Sequence, residues 1–368
     1  MEDAFRFSDE LGPIKIVHVQ DAGAGLRATV VVDNIMRGPA IGGARMAPDV
    51  STVECFRLAR AMTFKNAAAG LAHGGGKSVI FGDPKMPRDR KERIIRAFAR
   101  AIRSIDEYIV GPDMGTDESC MAWVHDEIGR AVGLPPDIGG IPLDEIGATG
   151  FGLAVAIGVA REYCALDLKG ARVAVQGFGS VGKHAASFLG QRGAVLVAAS
   201  DSRGTVTDPA GIDVAALMKV KAEGRSVVDY PRGAKGGVDA VIDVECDVWI
   251  PAARPDVITA RNVDRLRTKL VAQGANIPIS PEAESILHKR GVLSVPDFIA
   301  NAGGVICAAV EYHGGTQKAA FETIEEKIAA NTRQVLEASR RDGIEPRAAA
   351  VALAASRVRA AADYRRKL

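Results

Sequence analysis

The chain lacks the cysteine pattern of a metal site or a disulfide scaffold. Its five cysteines, Cys55, Cys120, Cys164, Cys246 and Cys307, are scattered, with no C-x-x-C pair and no cluster of histidines beside them. They read as reduced core residues, and no metal is expected. An excess of one charge is also missing. Lysine plus arginine number 47 against 45 aspartate plus glutamate, a formal net charge of +2, which gives no whole-chain field for nucleic acid or an acidic membrane. No apolar run reaches the ~18 residues of a membrane span. The first residues, Met1-Glu2-Asp3-Ala4-Phe5-Arg6, carry neither a basic n-region nor an apolar h-region. Repeats and low-complexity tracts are absent as well. These absences leave a cytoplasmic protein with a small-molecule partner as the expectation.

What is present points to an α/β chain. At 368 residues, 47% hydrophobic and 25% charged, it has the length of about two domains of ~150 residues each. Short apolar runs such as Leu26-Arg27-Ala28-Thr29-Val30-Val31-Val32 read as strands. A helix is expected from about Ser51, with Ser51 as N-cap and Glu54 completing a capping box. The stretch from Arg37 to Arg45 reads as a loop, and a short strand is expected over Ser78-Val79-Ile80-Phe81. Pro135-Pro136-Asp137-Ile138-Gly139-Gly140-Ile141-Pro142 interrupts all regular structure, so a domain boundary is placed near residue 140.

Three features carry chemistry. Lys65 and Lys77 lie in a stretch otherwise made of Ala, Gly and Leu. An ammonium is costly to desolvate there, which suggests an anionic ligand or lysines reaching to solvent. Gly74-Gly75-Gly76 precedes Lys77 and lets backbone approach a ligand or adopt positive φ. Asp113 stands at the end of the strand Tyr108-Ile109-Val110, where functional side chains and turn formers both occur. Finally, Gly177-Phe178-Gly179-Ser180-Val181-Gly182 is a G-x-G-x-x-G between a strand and a helix. A second apolar strand then ends at Asp201, nineteen positions after Gly182. This is the context of a dinucleotide site, with glycines at the pyrophosphate and an acid for the ribose.

These residues stand among longer matches. Gly38-Pro39-Ala40-Ile41-Gly42-Gly43-Ala44-Arg45-Met46, Met62-Thr63-Phe64-Lys65-Asn66, Gly74-Gly75-Gly76-Lys77, Gly111-Pro112-Asp113-Met114-Gly115-Thr116, Ala148-Thr149-Gly150, Gln273-Gly274-Ala275-Asn276 and Asn301-Ala302-Gly303-Gly304-Val305 occur in this order. In them the chain resembles the glutamate/leucine/phenylalanine/valine dehydrogenases over nearly its whole length. The resemblance implies two α/β domains separated by a cleft. Residues 1–140 would form a substrate-binding and oligomerisation domain, rejoined by a final helix at about 335–368. Residues 141–334 would form a Rossmann-like domain for NAD, with NADP possible because Arg203 stands two positions after Asp201. It also implies a homo-oligomer that reversibly deaminates an L-amino acid to a 2-oxo acid and ammonia.

Site roles follow from the same resemblance. Lys77 would polarise the oxo group and activate water, and Asp113 would move a proton to and from the substrate nitrogen. Lys65 and Asn276 would bind the α-carboxylate beside Gly42 and Gly43. Thr149 would contact the nicotinamide amide and Gly177, Gly179 and Gly182 the pyrophosphate, with Phe178, Ser180, Val181, Asp201 and Asn276 also in the coenzyme site. Glutamate-specific relatives carry a lysine and a serine where this chain has Ile41 and Ala308. With Met62 and Val305 these residues would line an apolar pocket, so a branched-chain or aromatic substrate is expected. The Pro112-Asp113-Met114 stretch resembles the glutamate branch instead, leaving glutamate dehydrogenase as the alternative and a non-catalytic nucleotide sensor as a third reading.

Overall fold

The computed structural model describes residues 5–364. It divides into two compact units, one of Met1–Pro142, Val305–Ala320 and Leu353–Leu368, the other of Leu143–Gly304 and Phe321–Ala352. The chain thus re-enters the first unit in two segments, where the sequence suggested one return from about residue 335. Residues 365–368 of that expected helix lie outside the described residues.

The first unit is built on a five-stranded sheet. Its elements are β1 (Lys15–Asp21), β2 (Leu26–Asn34), β3 (Ala40–Ala47), α1 (Thr52–Ala68), β4 (Gly74–Phe81), α2 (Arg88–Ala101), β5 (Tyr108–Pro112) and α3 (Glu118–Ile128). The strand order is β1-β2-β4-β3-β5. β3 pairs in parallel with β4 and β5, while β2 pairs antiparallel with β1 and β4. Alternate side chains on a strand face opposite ways. Val30, Val32, Ala44, Met46, Ile80 and Tyr108 therefore pack with Ile95 and Phe98 of α2 and Met121 and Val124 of α3. Val31 and Val79 turn to the other face, against Cys55 and Ala59 of α1.

Two strands differ from the sequence expectation. The Gly-rich run read as a loop is the interior strand β3, and β4 begins at Gly74, four residues earlier than expected. Gly74, Gly75 and Gly76 are not in the positive-φ region. They are glycines because neighbours lie too close for a side chain. A Cβ on Gly75 would fall 2.1 Å from the backbone nitrogen of Thr63 in α1, and one on Gly76 would fall 2.9 Å from the Tyr108 ring. Low strand propensity is overridden here by tertiary packing.

Helix α1 is fixed at both ends of its buried face. Ser51 Oγ accepts a hydrogen bond from the Glu54 N–H at 3.1 Å, whereas the Glu54 carboxylate turns to Arg45 instead of closing the capping box. Asp33 of β2, fully buried, takes Arg60 Nε on both carboxylate oxygens and the Thr63 hydroxyl at 2.6 Å.

The second unit holds α4 (Ala148–Ala160), β6 (Arg172–Gln176), α5 (Ser180–Gln191), β7 (Val195–Asp201), β8 (Gly204–Thr207), α6 (Val214–Ala222), β9 (Ala234–Gly236), β10 (Val248–Pro251), β11 (Leu270–Ala272), α7 (Pro281–Lys289), β12 (Leu293–Val295) and α8 (Asp297–Ala300). The remaining helices are α9 (Gly303–Tyr312), α10 (Gln317–Asp342) and α11 (Pro346–Ala362). The seven strands run in the order β12-β11-β10-β6-β7-β8-β9. The five from β12 to β7 are parallel, and β8 and β9 add antiparallel at the edge. The order reverses between β6 and β10, and a ligand of an open parallel sheet binds at the carboxyl ends of such neighbours. Among the described residues no helix is long and apolar enough to cross a membrane.

The Asp33 contacts give a stability test. Asp33→Ala leaves Thr63 without its carboxylate and Arg60 facing a vacated buried position. Arg60 keeps its pairing with Asp9, so the expected cost is that of unsatisfied buried donors, ~1–3 kcal/mol in equilibrium chemical unfolding. A loss below ~1 kcal/mol, the level of an exposed pair, would show that Asp33 does not anchor α1.

Candidate active site

Strand geometry brings Lys77 and Asp113 together. Lys77 lies two residues after Gly75 on β4, on the face covered by α1, and is only 6% exposed. Its Nζ forms an ion pair with Asp113 Oδ2. Asp113 follows β5 directly and sits in a turn that closes on its own sheet. Its N–H donates to Thr116 Oγ1 at 3.0 Å, and the Thr116 hydroxyl donates to the Ala44 carbonyl at 2.8 Å. Gly43 lies under the pair. A Cβ there would stand 2.8 Å from Asp113 Cβ, 2.7 Å from the Pro112 carbonyl and 3.2 Å from Lys77 Nζ. Gly42 faces the opposite way, where a Cβ would meet the Gly76 carbonyl at 1.7 Å.

The ion pair extends to two residues that sequence reasoning did not select. Arg45 Nε lies 3.3 Å from Asp113 Oδ2, and Arg45 Nη1 lies 2.6 Å from Glu54 Oε1. The signal was present: Arg45 is two positions beyond Gly43 on one strand, so both face the same side. Burial pushes the Asp113 carboxyl up, but the Lys77 ammonium and then the Arg45 guanidinium outweigh it and hold Asp113 below the usual aspartate value. Asp113 is therefore ionised at neutral pH and able to accept a proton.

The other selected residues of this unit take different settings. Lys65 is half-buried in the last turn of α1. The next residue, Asn66, is buried and donates to the carbonyls of Gly74 and Ile41 at 2.6 and 3.3 Å, which locks α1 to β3 and β4 beside Lys65. Ile41 and Ala308 are 3% and 6% exposed, and Met62 and Val305 are half-buried.

In the second unit the glycine loop fits a pyrophosphate. Gly179 is the N-cap of α5 and makes no side-chain cap. A Cβ on it would meet nothing within 4 Å, so the helix N-terminus faces open space. Gly177, at φ +92°, has Ala253 of the β10 loop 2.7 Å from where its Cβ would be, and a Cβ on Gly182 would meet the Gly177 carbonyl at 2.1 Å. Ser180 and Val181 open the helix, and the Ser180 hydroxyl donates to the Asp144 carbonyl. Phe178 differs from its neighbours: its ring is buried and its N–H donates to the Ser200 carbonyl at 2.7 Å. Its ring and N–H are engaged within the protein. Thr149 stands in the first turn of α4, its Oγ1 3.0 Å from where a Gly304 Cβ would be.

Asp201 sits at the end of β7 as expected, but its carboxylate is already engaged. Oδ2 accepts from Lys221 Nζ at 2.6 Å and Val227 N at 3.0 Å; Oδ1 accepts from Ser226 Oγ at 2.7 Å and Arg203 N at 2.9 Å. A carboxylate offers about four acceptor positions, and four donors occupy them here. Burial alone would raise its pKa, yet Lys221, Ser226 and the two N–H groups pull it down to about 2.

Residues 139–366 match the model of the Glutamate/Leucine/Phenylalanine/Valine dehydrogenase family, and residues 13–130 match that of the Glu/Leu/Phe/Val dehydrogenase dimerisation domain. The chain belongs to this family. It is 40% identical over 322 residues to a glutamate dehydrogenase of Aeropyrum pernix, covering 82% of this chain and 77% of that one. To an NADP-specific glutamate dehydrogenase of Saccharolobus shibatae it is 36% identical over 292 residues, 76% of this chain and 69% of the other. Among solved structures, the hetero-hexameric glutamate dehydrogenase of Thermus thermophilus in a Leu-bound form superposes with a TM-score of 0.87 at 30% identity, covering 97% of this chain and 91% of that one.

The protein is thus an NAD(P)-dependent L-amino acid dehydrogenase. Among the described residues no group of three or more His, Cys, Asp or Glu could hold a metal ion. The site predicts two outcomes. Gly43→Ala forces Asp113 or Lys77 aside and is expected to lower kcat/KM ~100-fold, the effect of an ångström-scale misplacement, in a protein that still folds; near-normal turnover would show that the pair tolerates displacement. Arg45→Leu removes a cation beside Asp113, so the Asp113 pKa rises and the acid limb of the pH profile of kcat/KM moves to higher pH. An unmoved limb would mean that this limb does not report Asp113.

Proposed function

We propose that this dehydrogenase reversibly converts an L-amino acid to its 2-oxo acid and ammonia, with Lys77 and Asp113 as catalytic residues. The observation that carries this reading is the buried Lys77–Asp113 ion pair above Gly43. Asp113, anionic at neutral pH, takes the proton that the substrate ammonium must lose. A bound nicotinamide coenzyme would supply the hydride acceptor for the substrate α-carbon. Lys77, once it has released its proton, takes one from the water that adds to the resulting imine; Asp113 then passes its proton to the nitrogen, which leaves as ammonia, and receives the hydroxyl proton as the oxo group forms. Lys65 and the amide of Asn276 bind the α-carboxylate, and Thr149 contacts the carboxamide end of the coenzyme. We further propose a homo-oligomer that uses residues 13–130, the span that matches the dimerisation domain.

Two substrates have specific support. Similarity to proteins named glutamate dehydrogenase at 36–40% identity supports L-glutamate, and it supports it better than the apolar amino acid expected from sequence. The second reading rests on Ile41 and Ala308, buried and uncharged. If they line the side-chain pocket, a glutamate carboxylate would lose its hydration without compensation from either residue. Initial rates with L-Glu, L-Leu, L-Val, L-Phe and L-Trp separate the two. Preference for glutamate removes Ile41 and Ala308 as selectors. Preference for an apolar substrate predicts that Ile41→Lys raises kcat/KM for glutamate relative to leucine by at least ~10-fold.

The saturated Asp201 bears on the coenzyme. Its charge is balanced by Lys221, and its oxygens are taken, so the repulsion of a 2′-phosphate expected from the sequence is weak. Arg203, with an exposed guanidinium, lies on the same turn. We therefore propose that NAD and NADP are both used, with kcat/KM values within ~10-fold of each other. A preference for NAD above ~100-fold would mean that Asp201 leaves Lys221 to grip the ribose.

A further inference from the structure

The loop Gln273-Gly274-Ala275-Asn276-Ile277 is held by a buried network outside the site. Asn276 is exposed, and its Oδ1 accepts from Asn301 Nδ2 at 3.0 Å. That bond turns the oxygen inward and leaves the NH2 group as the outward donor. Ile277 follows at φ +50°, a left-handed conformation that a β-branched residue adopts only when its surroundings impose it. The constraint is visible: the Ile277 N–H donates to Asp297 Oδ2 at 2.8 Å. The other oxygen, Oδ1, lies 2.9 Å from Arg347 Nη1 and has no hydrogen-bond partner, so this ion pair is its one polar contact. Arg347, in the first turn of α11, also grips Glu284 through Nε and Nη2 and donates to Gln273 Oε1 at 3.0 Å. One guanidinium therefore touches Gln273 before the Asn276 amide and, through Asp297, the Ile277 N–H after it.

We propose that Asp297 and Arg347 are positioning residues for substrate binding: Arg347 fixes the Asp297 carboxylate, Asp297 fixes Ile277 in its left-handed conformation, and the Asn276 amide is thereby aimed at the substrate carboxylate. This rests on the reading of Asn276 as a carboxylate ligand. Asp297 and Glu284 are both nearly buried, with side chains 7% and 6% exposed, and share the single Arg347 cation. Loss of that cation would leave two carboxylates in one poorly hydrated place, so one would take up a proton or the network would open. Either change releases the loop.

The test is a kinetic split on the full-length enzyme. Asn276→Ala, Asp297→Ala, Asp297→Asn and Arg347→Lys are each assayed for KM of the amino acid, KM of the coenzyme and kcat. Asp297→Ala is expected to raise the amino-acid KM ~10-fold or more and to move the coenzyme KM no further than Asn276→Ala does. Asp297→Asn keeps an oxygen for the Ile277 N–H and is expected to recover most of that loss. Arg347→Lys keeps the charge but not the fork that reaches Gln273 and Glu284 together, and should fall between the two. These two variants carry the test if Asp297→Ala does not fold. If Asn276→Ala raises the amino-acid KM and none of the Asp297 or Arg347 variants does, the positioning role is overturned while the carboxylate reading stands. If Asn276→Ala leaves that KM unchanged, the carboxylate reading fails and the proposal with it. A coenzyme KM raised by the Asp297 and Arg347 variants beyond its value in Asn276→Ala, or a loss confined to thermal stability, would show a purely structural network and overturn it.

Discussion

The first unit depends on how closely helix α1 lies against strand β4. The Thr63 nitrogen comes within 2.1 Å of where a Gly75 Cβ would be, so backbone meets backbone without a layer of side chains between. That approach puts the α1 face directly over Lys77. Three polar groups fix it: Asp33 on Arg60 and Thr63, Asn66 on the carbonyls of Ile41 and Gly74, and Ser51 at the helix start. The pair Lys77–Asp113 can then be buried because the strands beneath carry glycine at 42, 43, 75 and 76. Buried charges need tight partners, and here the partners come from β4 and the end of β5, parallel strands on either side of β3 whose positions the sheet already determines.

Much of this was legible in the sequence, and what was not has a physical reason. The strands rich in Val and Ile, the N-cap at Ser51 and the strand–glycine–helix unit around Gly177 all advertise themselves locally. Strand β3 and the first half of β4 do not, because their glycines answer to neighbours distant in sequence: Gly43 to Pro112 and Asp113, Gly76 to Tyr108. Local propensity reads such a run as a loop. In the site, Lys65, Lys77 and Asp113 stood out by chemistry and motif. Arg45 and Glu54 did not, since their meaning lies in an ion-pair chain that exists only once β3, β5 and α1 are assembled. Phe178 and Asp201 show the converse case. Each holds the motif position for a coenzyme contact, yet the ring and N–H of one and both oxygens of the other are consumed by the protein itself.

Family and reaction class rest on different ground from substrate choice. The proton chemistry needs only a carboxylate, an ammonium and a way to hold an α-carboxylate, none of which depends on the side chain of the substrate. Ile41 and Ala308, the residues proposed for the choice, are uncharged and sit in the interior like any core residue. A charged ligand announces its site through charged residues. An apolar one leaves a signature that ordinary packing also leaves, and this is why relatedness and pocket composition can point to different amino acids for one catalytic centre.

The four donors around Asp201 have an implication for how this protein could change over time. In a site where the acid at the end of the second parallel strand stands open, altering coenzyme choice begins with that acid. Here Lys221 on α6 and Ser226 in the loop beyond it hold the acid in place, so the accessible mutational step lies some twenty residues downstream. Replacing Asp201 itself would strand a lysine, a hydroxyl and two backbone N–H groups at once, whereas replacing Lys221 would free one acceptor position on Oδ2 and leave the other three donors in place. On the proposed reading of Asp201, the first mutational handle on nucleotide preference is a helix-borne cation outside the glycine fingerprint.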